Sequence, residues 1–218
     1  MLKQILVVFP LMLGNVLIAQ TATPPAPSGS PPPLIVLIGP PLSGKTTFAE
    51  SISATYGIPA ISIEDLIKDN AAEVDKLRGE GMSMAEMRYD PAMSRYLRTR
   101  LKTADLSHGL ALDGYPATLV QAEDLSKMIP GLGLRLIAFQ LEVPDDVIRE
   151  RAKKTGQESY RTQILEQRIK DYHREMDFIS VYFPEAKIVR VNGNQPEADV
   201  WKSIRATLEG EGIKPVAK

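Results

Sequence analysis

The sequence predicts an α/β fold of three layers, a five-stranded parallel sheet with helices on both faces. Three observations carry this. Short apolar runs alternate with longer segments of helical spacing along most of the chain. The first such run, Leu34 to Ile38, is apolar throughout, as expected of a strand buried on both faces. It leads into Gly39-Pro40-Pro41-Leu42-Ser43-Gly44-Lys45-Thr46, a turn bracketed by glycines and followed by a helical pattern.

The remaining elements follow in order. Lys45 to Thr55 reads as a helix stopped by Gly57 and Pro59, and Ala60 to Ser62 as a short second strand. Glu64 to Leu77 reads as one helix, with Leu66, Ile67, Val74 and Leu77 at helical spacings. Pro91 begins a helix to Leu101, proline being suited to a first turn. Leu110 to Asp113 is a third strand, and Thr118 caps a helix to about Ile129. Leu134 to Leu141 is a fourth strand. Pro144 to Lys154 is a helix with Asp145 and Asp146 near its positive end. After a polar stretch, Arg161 to Val181 reads as a long helix with an apolar stripe of Leu165, Ile169, Tyr172, Met176 and Ile179. Lys187 to Val191 is a fifth strand and Pro196 to Leu208 a closing helix.

The first 33 residues differ from the rest. Lys3 is their only charged side chain, and an apolar stretch from Ile5 to Ala19 precedes small residues and a Pro/Ser/Gly-rich run. Residues 1–20 therefore read as a signal peptide, or an anchor, and 21–33 as an extended linker. The expected location is periplasmic or extracellular, with anchored or cytoplasmic as the alternatives. The apolar stretch is too short for a spanning helix, so no stable membrane span is expected once the signal is removed. Composition excludes other classes. Hydrophobic residues at 44% suffice for a core. A net charge of −1 argues against a broad surface for nucleic acid, and the lack of cysteine excludes disulfides and thiolate chemistry.

The glycine-bracketed turn has the residues of a phosphate-binding P-loop. Successive backbone N–H groups make a concave anion site, Gly44 permits close approach, and the helix presents its positive end. Lys45 adds a point charge for β- and γ-phosphates, and a hydroxyl, Thr46 or Thr47, can complete a Mg²⁺ shell. Asp113, at the carboxyl end of a buried strand, points toward the crevice where open sheets bind ligands and can hold Mg²⁺ through water. Taken alone, an Asp-Gly after a strand is also an ordinary turn.

Together these residues resemble the adenylate kinase family of nucleoside monophosphate kinases, over nearly all of Leu34 to Glu209. Leu112-Asp113-Gly114-Tyr115-Pro116, with Thr118 and Gln121, is similar to the family signature after the third strand. The resemblance implies a P-loop kinase fold with a helical monophosphate-binding insert at about 63–105 and a short lid at about 153–161. It implies transfer of a phosphoryl group from ATP, with Mg²⁺, to a monophosphate, AMP first, by a monomer. It assigns ATP to residues 39–47 and Arg151, and the acceptor to Ser62, Ile63, Lys68, Asp113, Gly114, Tyr115 and Gln121. Arg168 matches an arginine that contacts the transferring group, and Arg161, seven residues earlier, shares its helix face.

The chain departs from the family pattern at charge-handling positions. Leu42 replaces a glycine, Ala117 and Lys68 replace arginines, and Glu64 introduces an anion near an anionic substrate. Arg88 and Arg95 share a helical spacing, and one of them could replace the lost acceptor arginine; a solvated charged face is the simpler reading. These departures leave two alternatives, a catalytically impaired nucleotide-binding module and a P-loop kinase for another small metabolite.

Overall fold

The structure, a computed structural model, describes residues 30–155, 162–176, 179–183 and 187–216. The segment read as a signal peptide, most of that read as a linker, Arg161 and the expected lid beyond Thr155 lie outside the described residues.

Five parallel strands form the sheet: β1 (Pro33–Ile38), β2 (Ala60–Ser62), β3 (Leu110–Asp113), β4 (Arg135–Glu142) and β5 (Lys187–Asn192), in the order β2-β3-β1-β4-β5. The apolar run behaves as expected, and β1 is buried along its length. Its alternation splits the core in two: Leu34, Val36 and Ile38 enter one cluster, Ile35 and Leu37 the other. Pro33, read as linker, instead opens β1 opposite Arg135. A strand's first residue tolerates the missing N–H.

Helices cover both faces. α1 (Lys45–Tyr56) buries Phe48, Ala49, Ile52 and Tyr56, and Gly57 ends it in the left-handed region at φ 67°. The predicted Glu64 to Leu77 helix is two, α2 (Ile63–Asp69) and α3 (Ala71–Gly79). The break is at Asn70, whose side-chain amide donates to the Leu66 carbonyl at 2.8 Å while its backbone leaves helical geometry. A short helix that was not expected, α4 (Met84–Met87), is started by a Ser83/Glu86 capping box. α5 (Ala92–Leu101) completes the insert, with Met87 and Met93 buried in its core.

α6 (Leu119–Leu132) begins at the expected Thr118 cap. α7 (Asp145–Thr155) runs into the start of the expected lid, and α8 (Thr162–Met176) carries the apolar stripe as far as Met176. The stripe's last member, Ile179, belongs to a separate 3₁₀ turn, Ile179–Val181. α9 (Glu197–Gly210) closes the fold. Among the described residues no helix is long and apolar enough to cross a membrane.

Candidate functional site

The central position of β1 delivers the P-loop to the carboxyl edge of the sheet, with β3 beside it. Leu37 is level with Asp113, so the loop leaving β1 and the turn leaving β3 share one crevice. Gly44 at φ 98° turns the chain into α1. The Thr46 hydroxyl, in the first turn of α1, donates to Asp113 Oδ2 at 2.6 Å. Thr47 is exposed on the same turn, and its carbonyl accepts from the Ser51 hydroxyl.

Lys45 curls under its own loop. Its ammonium donates to the carbonyls of Gly39 and Pro40, each at 2.8 Å, and to Ser43 Oγ at 3.3 Å. Burial pushes the Lys45 ammonium down to about 7; the Asp113 carboxylate opposes this, while Arg88 and Arg168 add to it. Burial likewise raises Asp113, against the Thr46 hydrogen bond and the Lys45 charge.

Leu42 occupies the left-handed region at φ 59°, unlike any other non-glycine among the described residues. Its side chain packs against the Val143, Ile148, Leu165 and Ile169 cluster, an apolar contact that offsets the backbone cost. Its carbonyl accepts from Arg151 Nη1 at 2.9 Å. The other end of that guanidinium donates to the Gly193 carbonyl at 2.7 Å. Arg151 thus straps the P-loop to the turn after β5.

Two cavities flank the loop. One is lined by Gly39, Pro41 and Lys45 from the loop, Gly114, Pro116 and Ala117 from the turn after β3, Arg88 and Tyr89 after α4, and Arg168, Tyr172 and Met176 of α8. Positions 168, 172 and 176 are one helix face, which is why Arg168 looks into the cleft. The other cavity, of about 550 Å³, lies at the carboxyl ends of β4 and β5 and includes Pro40, Tyr172, Asn192 and Asn194. That volume is in the range of small-ligand sites.

The structure therefore brings together Lys45, Thr46, Asp113, Gly114, Arg168 and Arg151's strap, but not the rest of the acceptor set. Ser62 is an N-cap, bonded to Asp65 in a capping box. Ile63 is buried in the core, and Lys68 is exposed on α2 and does not line the cavity. Tyr115 is buried, its hydroxyl bonded to Ser94 and to the Gln121 carbonyl, and burial pushes it up to about 12. Gln121 is wholly buried: Oε1 accepts from the Ala117 N–H at 2.7 Å, and Nε2 donates to the carbonyls of Arg88 and Asp90. Tyr89 and Tyr172 line the cavity without having been singled out as site residues. The stripe on α8 located Tyr172, whereas nothing local marked Tyr89.

Residues 37–188 match the family model described as adenylate kinase. The chain is 32% identical over 188 residues to an adenylate kinase of Synechococcus, covering 82% of this chain and 97% of that protein. An adenylate kinase of Micrococcus luteus is 35% identical over 179 residues, 78% of this chain and 87% of that protein. One of Clavibacter michiganensis is 32% identical over 190 residues, 83% of this chain and 95% of that protein.

Proposed function

This chain belongs to the adenylate kinase family, and from that premise we propose that it transfers the terminal phosphoryl group of ATP to AMP with Mg²⁺, giving two ADP. An oxygen of the AMP phosphate forms a bond to the γ-phosphorus as the bond from that phosphorus to the bridging oxygen breaks. ADP leaves with the electron pair. The observation that carries the reading is one cavity lined by both the P-loop lysine, Lys45, and Arg168 of α8.

Phosphoryl transfer asks for positioning and charge neutralisation rather than covalent help from the protein. The loop amides and the N-terminal end of α1 hold the donor phosphates. Lys45 exchanges its contacts with Gly39, Pro40 and Ser43 for phosphate oxygens. Arg168, on the opposite wall, meets charge on the transferring group. Thr46 and Asp113 are hard oxygen donors held side by side, and that chemistry fits Mg²⁺ completed by phosphate and water. When bound, the ion neutralises phosphate charge.

The reading is tested by ADP formation from ATP with AMP, GMP, CMP and UMP, each with and without Mg²⁺. Mg²⁺-dependent turnover, fastest with AMP, is expected. Failure to phosphorylate any of the four defeats the proposal.

The state of Lys45 adds a pH signature. With its free ammonium at about 7, the side chain is largely neutral in mildly alkaline solution. Bound polyphosphate favours the charged form, so ATP binding takes up a proton there, and affinity falls as pH rises above about 7. Calorimetry in buffers of different ionisation enthalpy should show uptake approaching about one proton near pH 8 and little near pH 6. Equal uptake at both values would remove Lys45 as the titrating group.

A further inference from the structure

Glu64 and Arg88 form an ion pair across the insert, Glu64 from the first turn of α2 and Arg88 from the residue closing α4. The pair is uneven. The Arg88 side chain is 20% exposed and lines the cavity beside Lys45 and Arg168, whereas Glu64 is 63% exposed. The guanidinium faces the substrate space, and its counter-ion faces water.

The seat of Arg88 is built into the fold. Its carbonyl accepts from Nε2 of the buried Gln121 at 3.0 Å, and Oε1 of the same side chain takes the Ala117 N–H. One buried amide therefore fixes the turn bearing Arg88 to the turn after β3. Gly114 makes room for the guanidinium: a Cβ there would stand 3.1 Å from Arg88 Nη1. Other cations that could serve this wall are placed elsewhere, Lys68 exposed on α2 and Arg95 bonded to Glu73.

Charge indicates what the seat receives. Lys45, Arg88 and Arg168 bring three basic side chains to one cavity. The negative charges acting on Lys45 are Asp113, which is buried and bonded to Thr46, and Glu64. An ion pair with one partner largely in water contributes little, so it exchanges readily. A phosphate monoester carries more charge than a carboxylate and offers three oxygens to the guanidinium fork.

We propose that Arg88 binds the phosphate of the acceptor nucleotide and that Glu64 is the resting counter-ion which this phosphate displaces. The proposal rests on the phosphotransferase reading above. Arg88 is then a binding residue, and Glu64 sets the acceptor's affinity by competing for it.

The experiment is steady-state ADP formation by the full chain, with AMP varied at saturating MgATP and then ATP varied at saturating AMP. Arg88→Ala should raise the acceptor KM about 10- to 100-fold and leave the donor KM within about threefold. Arg88→Lys should fall between, since it keeps the charge and loses the fork. Glu64→Gln should lower the acceptor KM about two- to fivefold. Arg95→Ala should match wild type. An unchanged acceptor KM in Arg88→Ala, or a parallel rise in both KM values, overturns the role of Arg88. A higher acceptor KM in Glu64→Gln overturns the competition. If wild type turns over no monophosphate, calorimetric titration with AMP still decides. Binding that is lost in Arg88→Ala supports the seat while the transfer reading fails, and absence of AMP binding to wild type overturns both. Melting curves identify any variant that fails to fold, for which Arg88→Lys remains the informative substitution.

Discussion

Lys45→Ala is expected to lower kcat/KM for ATP by about 10²- to 10³-fold, the scale for loss of one preorganised charge at a developing anion. Three loop oxygens, on Gly39, Pro40 and Ser43, converge on its ammonium. Water that enters in its place can satisfy those oxygens, so melting temperature should change little while turnover collapses. ADP formation by the purified variant, with circular dichroism as the folding control, checks this. Activity within threefold of wild type would remove Lys45 from the chemistry and leave the P-loop without its charge.

The second large effect is expected at Asp113. Asp113→Asn keeps the shape but loses the carboxylate that accepts from Thr46 and supports the Lys45 charge. Two consequences follow, with opposite signs for activity and stability. Removing the anion lets the Lys45 ammonium lose its proton at a lower pH, so the alkaline decline of kcat/KM for ATP begins earlier. The Mg²⁺ concentration for half-maximal rate rises as well, and kcat/KM near neutral pH falls about 10²-fold. Stability moves the other way. Burial raises the Asp113 carboxyl above its unfolded value, so its ionised form costs stability once pH exceeds that value. The amide removes this cost, and the melting temperature at neutral pH should hold or rise. A pH–rate profile, a Mg²⁺ titration and a thermal melt of one variant test both consequences. A lowered melting temperature with unchanged Mg²⁺ dependence would make Asp113 a structural residue only.

The elements legible in the sequence were those whose signal is local. The apolar run of β1, the glycine-bracketed turn, the Thr118 cap and the α8 stripe each depend on residues a few positions apart. Met84 to Met87 had such a signal as well, in Ser83 and Glu86, but its single turn was too short to show a period. Asn70 was obscured because the apolar spacing continued across it, whereas the break comes from a side-chain amide taking a helix carbonyl. The acceptor side was the least legible. Resemblance names positions such as Tyr115 and Gln121 but not which way their polar atoms point, and here both spend them inside the protein. Arg88 and Arg95 looked alike on a helix pattern. Only the folded insert separates them, giving one to the cavity and the other to Glu73.

Arg151 gives the P-loop and the turn after β5 a mechanical connection. Its guanidinium reaches the backbone of residue 42 on one side and of residue 193 on the other. A nucleotide whose base reached the cleft by Asn192 would press on the same turn, and it is expected to be held more tightly than a polyphosphate stripped of its nucleoside. Base and phosphate tail should behave as a single key, whose halves supplied separately grip less than their sum.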